Sequence, residues 1–171
     1  MLERKGGKKM ALRTIREDGD ELLRKKSREV AIDDITGEKI QSLIDDMIET
    51  MHNFNGVGLA AVQVGMLKRV IVIDVEDGKG PYVLINPQIL KTKGEKECDE
   101  GCLSFPNQFG KVVRPTEVTV EFLDRNAKKV KLKAKELLAQ AICHECDHLE
   151  GVLFVDKVLP GTLEYVTPEE N

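Results

Sequence analysis

A chain of 171 residues, 41% hydrophobic and 33% charged, is long enough to bury one core and has the balance of a soluble globular domain. Its net charge of −4 argues against a general nucleic-acid binder, which carries an excess of Lys and Arg. No apolar run approaches the roughly 20 residues of a membrane-spanning helix, and the N-terminus lacks an apolar signal segment, so the expected location is the cytoplasm, with the four cysteines reduced.

Residues 1–10, opening MLERKGGKK, are basic and without periodicity and read as a solvated extension. A helix-like segment follows from about Asp20 to Glu29. The strongest helical pattern is TGEKIQSLIDDMIETMHNFNG, where Ile40, Leu43, Ile44, Met47, Ile48 and Met51 recur at spacings of three and four and Asn55-Gly56 forms a stop. RVIVIDV (69–75) and YVLIN (82–86) read as strands joined by the turn residues of EDGKGP. TEVTVEFLD (116–124) and KVKLKA (129–134) alternate on either side of DRNA, which predicts an antiparallel hairpin. A last helix should run from about Lys135 to Glu150 with Gly151 past its end, leaving a short acidic tail over 160–171. No repeat or linker interrupts the chain, and helices set apart from short strand pairs predict a single α+β domain over 1–171.

Within that last helix stands HECDHLEGVLF. At about 100° per residue, His144 and His148 lie one turn apart on one face, where two imidazoles converge on one metal ion. Glu145 lies beside them, within reach of a water at that ion, and Leu137 and Ala141 extend the same stripe as an apolar wall. His52 stands apart as a surface or helix-end residue. Phe154 stands where some zinc proteases place a third histidine, and phenyl cannot ligate. A rival zinc site built from Cys98, Cys102, Cys143 and Cys146 would use the wrong face of the helix, so Cys143 and Cys146 are better read as small buried hydrophobes.

The third ligand must come from elsewhere. Downstream, Glu150, Asp156 and Glu164 are the nearby acids, which leaves a peptidase using the same helix as an alternative. Upstream, ECDEGCLSFPN reads as a loop without strand or helix period, and the glycine before Cys102 lets a thiolate approach a metal; Cys102 is the favoured ligand. GVGLAAVQVG (56–65) places small residues in a row around one polar side chain, Gln63. That permits close approach of a substrate backbone, or of a glycine-rich helix end packed on the sheet.

Three stretches, Gly56-Val57-Gly58-Leu59-Ala60-Ala61-Val62-Gln63, Glu100-Gly101-Cys102-Leu103-Ser104 and His144-Glu145-Cys146-Asp147-His148, together resemble the peptide deformylase family, without a gap and in the family's order. The resemblance covers roughly Leu12 to Leu159. It implies antiparallel β-sheets packed around a central metal-binding helix, with a long N-terminal amphipathic helix. It implies hydrolysis of the formyl group from N-formylmethionine on nascent chains. It implies Cys102, His144 and His148 as ligands of one divalent ion, Fe2+ physiologically, with Zn2+, Ni2+ or Co2+ able to replace it. Glu145 would be the proton shuttle, and the Gln63 amide and Leu103 N–H the oxyanion donors. Leu137 and Ala141 would line the methionine pocket, and Val57 and Gly58 would pair with the peptide backbone. The expected partners are N-formylmethionyl peptides, with a transient ribosome contact and neither DNA nor membrane. Two departures stand out. Phe109 takes the place of an arginine that contacts the peptide in many members, and the C-terminus PGTLEYVTPEEN is short and acidic where others carry a long helix.

Overall fold

A computed structural model describes residues 11–167. The extension expected over 1–10 and the last residues of the acidic tail, 168–171, lie outside the described residues. The elements are α1 (Ile32–Ile35), α2 (Glu38–Asn53), β1 (Gly58–Ala60), β2 (Val70–Ile73), β3 (Tyr82–Lys93), β4 (Lys96–Cys102), β5 (Phe105–Arg114), β6 (Glu117–Leu123), β7 (Lys129–Lys135), α3 (Glu136–Leu149) and β8 (Glu164–Tyr165). They form an α+β fold with a five-stranded sheet ordered β1-β2-β3-β6-β7 and a three-stranded sheet ordered β4-β5-β8. Every neighbouring pair is antiparallel. Among the described residues no helix is long and apolar enough to cross a membrane.

The long helix is α2, and its predicted stripe is the buried one: Ile40, Leu43, Ile44, Met47 and Met51 are almost wholly enclosed, with Ile48 packed against them. Each such side chain contributes roughly 1.5–3 kcal/mol on leaving water. The stripe packs on Leu59, Val70, Val72, Val83 and Ile85 from one face of the five-stranded sheet. Ile71, Ile73, Leu84, Val118, Val120 and Phe122 point to the opposite face, onto Ala139 and Ile142 of α3. That explains the unbroken apolar run of β2, covered on both sides.

The extended segment ahead of α1 crosses α2. Ala11 N–H donates to Asp46 Oδ1 at 2.9 Å, Arg13 N–H donates to Thr50 Oγ1 at 2.9 Å, and the Arg13 guanidinium pairs with Asp46 at 3.0 Å. The helix expected over Asp20 to Glu29 is not formed; only a 3-10 turn at Glu21–Arg24 is present. The backbone after it is claimed by other elements. Ser27 N–H donates to Leu149 C=O, Arg28 N–H to Leu67 C=O, and Arg28 C=O accepts from Arg69 N–H. The other correction concerns ECDEGCLSFPN, which is no loop: it spans the end of β4, a two-residue turn and the start of β5. β3 also runs well past the expected 82–86, with a bulge at Leu90.

The hairpin 117–135 and α3 match their predicted positions. Gly151 follows α3 at φ 72°, and a Cβ there would lie 2.3 Å from Arg24 C=O, so glycine alone fits the left-handed stop.

Candidate active site

α3 is clamped between the two sheets, and its second face carries His144, Asp147 and His148 toward β4 and β5. The ligand atoms of Cys102, His144 and His148 lie within 4.8 Å of one another. Cys102 Sγ is 3.3 Å from His148 Nε2, and the imidazole centroids are 5.1 Å apart. One thiolate and two imidazoles at this separation are the donors of an open, three-ligand divalent site. Burial drives His148 well below its ordinary pKa, so its imidazole is neutral as ligation requires.

The predicted donors fit because of residues that motif reasoning did not single out. His144 Nδ1 bonds Glu100 Oε1 at 2.5 Å, leaving Nε2 to face the metal position. Glu100 in turn accepts two bonds from Arg114, at 3.0 and 2.6 Å, and Arg114 also donates to Asp147 at 2.7 Å. Burial acts to raise the Glu100 carboxyl, but the hydrogen bonds from Arg114 and His144 outweigh it and hold it down at about 2. A carboxylate on the far nitrogen of a ligating histidine fixes its tautomer and ring orientation. Glu100 was visible in the cysteine motif; Arg114 carried no signal, because the β4–β5 register sets it opposite Lys96 and only its long side chain, held also by Asp147 of α3, reaches Glu100. Phe154 has its role here as well. It is buried, stacks on His144 at 6.2 Å and meets Phe105 edge-on at 5.4 Å, so it is a wall behind a ligand.

Glu145 is 4% exposed and its Oε2 has no hydrogen-bond partner among the described residues. Burial pushes its carboxyl up to about 7. Gly58 makes room for it, since a Cβ there would lie 2.8 Å from Glu145 Oε1. Gln63 is buried with its amide oriented by neighbours: Oε1 accepts from Ala60 N–H at 2.9 Å, and Nε2 donates to Ser104 Oγ at 3.0 Å and approaches Cys102 Sγ at 3.5 Å. Leu103 sits in the β4–β5 turn, next to Cys102.

A cleft of about 990 Å³ joins these groups, lined among others by Val57, Gly58, Gln63, Leu137, Ala141 and Glu145. β1 is the free edge of the five-stranded sheet. The Val57 C=O is taken by Asp74 N–H at 2.8 Å, so by strand alternation the backbone groups of Gly58 are those that face the open edge. The strap residues Leu12 to Ile15 also line the cleft, which no motif announced. Phe109 lies on its rim, 47% exposed, against Gly101.

The downstream acids and the other cysteines that the sequence offered as alternative ligands lie away from the site. Glu150 pairs with Arg69 and Lys26, Asp156 with Arg24, and Glu164 is exposed on β8, so the downstream acids of a peptidase do not reach the histidines. Burial lifts the thiols of Cys143 and Cys146 to about 11 and 12, and both pack with the apolar cluster under the sheet. His52 is at the end of α2 and pairs with Asp74 at 2.8 Å.

The sequence profile of polypeptide deformylase matches residues 12–163. The chain belongs to the polypeptide deformylase family. It is 57% identical over 150 residues to the peptide deformylase of Acetivibrio thermocellus, covering 88% of this chain and 85% of that one. To the peptide deformylase of Agathobacter rectalis it is 53% identical over 162 residues, covering 95% and 99%. The crystal structure of a peptide deformylase from Legionella pneumophila superimposes with a TM-score of 0.83 at 45% identity, covering 88% of each chain. The chain is accordingly a metal-dependent hydrolase that removes the N-terminal formyl group from formylmethionine of newly synthesised proteins and releases formate.

Proposed function

We propose that Cys102 Sγ, His144 Nε2 and His148 Nε2 hold the ion, that Glu145 is the proton shuttle, and that Gln63 and Leu103 stabilise the oxyanion. The supporting observation is that the three donor atoms lie within 4.8 Å of one another, while Cys102, His144 and Glu145 line one cleft. The ion, when bound, acts as a Lewis acid that acidifies water and polarises the formyl carbonyl. Glu145 takes the proton of the attacking water, for which a carboxyl near 7 is well matched at neutral pH, and returns it to the departing amine. The Gln63 Nε2, steadied by Ser104, and the Leu103 N–H donate to the oxygen on which charge develops. Gly58 offers its backbone to the peptide as an added strand, while Leu137 and Ala141 border the side chain of the formylated methionine.

Ferrous iron is the ion we assign, from the family resemblance, because a thiolate and two imidazoles do not by themselves choose among divalent metals. The cytoplasm is the compartment that fits reduced cysteines and nascent-chain substrates. The whole chain acts as one catalytic domain. Formate release from formyl-Met-Ala, with and without chelator, tests the assignment: activity must vanish with chelator, return with metal, and fail to return in Cys102→Ala. Reconstitution of the apoprotein with iron, nickel or cobalt tests the metal. The iron form should lose activity in air together with oxygen addition at Cys102, while the nickel form persists.

A further inference from the structure

We propose that the α2-side face of the five-stranded sheet, where it runs beyond α2 across β3, β6 and β7, is a docking surface for the phosphate backbone of RNA. Lys129, Lys131, Lys133 and Lys135 alternate along β7 and are all exposed. Their cross-strand partners on β6 are Leu123, Glu121, Thr119 and Glu117. On β3 the same face continues through Gln88, Lys91 and Lys93, opposite Glu121, Thr119 and Glu117. The bulge at Leu90 is what brings Lys91 opposite Thr119.

Three cross-strand rungs result. In the flanking rungs the acids are engaged: Glu117 pairs with Lys135 at 3.3 Å and Lys133 at 3.7 Å, and Glu121 with Lys129 at 3.1 Å. The central rung, Lys91–Thr119–Lys133, contains no acid. It forms the floor of a groove of about 450 Å³ lined by Leu90, Lys91, Thr119, Lys131 and Lys133. Lys91 and Lys131 form no ion pair among the described residues. Six lysines thus face two glutamates on one sheet surface of a chain whose net charge is −4. Like charges side by side on a sheet are destabilising, so the arrangement points to an external anion.

The form of the surface selects the occupant. Lysines two residues apart on a strand repeat at about 6.6 Å, on the scale of one nucleotide step of extended RNA. The lysine row carries no aromatic ring on which a base could stack, so contact is to phosphate and indifferent to sequence. A lipid surface would call for a band of exposed apolar anchors, and the groove offers Leu90 alone. The lysine groove shares no lining residue with the catalytic cleft, so RNA on the lysine face leaves the cleft open. Such a surface suits an enzyme of nascent chains, yet the inference rests on the lysine face and not on the assigned chemistry.

The test is fluorescence anisotropy of a labelled 20-nucleotide oligouridylate with the full chain, from 25 to 200 mM KCl. Binding should weaken with salt at a logarithmic slope of about −2 to −3, the release expected for three or four phosphates on a single strand. The Lys91→Glu/Lys131→Glu/Lys133→Glu variant should bind at least tenfold more weakly while turning over formyl-Met-Ala as the parent does. If that variant loses turnover, Lys91→Ala/Lys131→Ala decides by the same two measurements. No binding at 25 mM KCl overturns the proposal. So does equal binding by parent and variant, which would place any contact on another basic segment. Lysine-dependent binding to phosphatidylserine vesicles without binding to RNA overturns it too.

Discussion

In the five-stranded sheet, β2 encloses Val70, Ile71, Val72 and Ile73 completely between α2 and α3. In the β4–β5 hairpin, the inward side chains include Glu100 and Arg114, linked to His144 and Asp147 of α3. α3 touches both, with an apolar face for the first and a ligand-bearing face for the second. Apolar burial is non-directional and proportional to area, so the first contact holds the helix firmly without dictating angles. Charged hydrogen bonds are directional, so the second contact aims an imidazole. A helix supported by area on one side and by geometry on the other can present ligands within the tolerance a metal demands.

The largest departure from this division should come at Glu145. Glu145→Gln should retain metal, measured by elemental analysis, and lose kcat by about 10²–10⁴-fold, the range for a lost acid–base group. The same variant should be more stable than the parent in the metal-free state above pH 7. A carboxyl raised to about 7 from 4.5 weakens the fold as pH rises between those values, because the unfolded state gives up its proton first. Activity within tenfold of the parent would remove Glu145 from the mechanism.

Next in size is the ionic contact. Glu100→Gln leaves Arg114 buried beside a neutral group and should cost about 3–5 kcal/mol in urea unfolding, with metal affinity down by about 10–100-fold. Sign and window follow from the depressed carboxyl. The stabilisation from Glu100 is present above about pH 4.5 and is lost as pH falls toward 2. A parent chain and a Glu100→Gln variant with parallel stability profiles between pH 6 and pH 3 would contradict this.

Gln63→Leu should lower kcat by about 10²–10³-fold with fold and metal intact, as for one oxyanion donor. A change confined to KM would instead make Gln63 a ground-state binding group. The smallest effect belongs to the apolar side: Ile71→Val should cost about 0.5–1.5 kcal/mol and leave kcat unchanged. A drop in kcat there would mean that sheet packing also sets the ligand angles, and the division between the two contacts would fail.

The elements readable from the sequence were those whose pattern is apolar. The stripe of α2, the run of β2 and the alternation of the 117–135 hairpin were all visible because burial imposes period on hydrophobic residues. The β4–β5 hairpin hid because its inward positions on β4 are Cys98, Glu100 and Cys102, which alternate in burial but not in hydropathy. The segment after Asp20 misled in the opposite way, since its helix-forming residues are overruled by hydrogen bonds to Leu67, Arg69 and Leu149.

By itself the sequence determined the kind of chemistry, because motif residues carry their donors wherever they are placed and His144, Glu145 and His148 share a helix by spacing alone. Only the tertiary structure decided what surrounds those donors. That Arg114 steadies Glu100, that Phe154 backs His144, that Ser104 holds Gln63 and that the strap from Ala11 walls the cleft are contacts between residues 10 to 41 positions apart. No local period encodes such contacts, which exist only when strand register and helix packing bring the partners together.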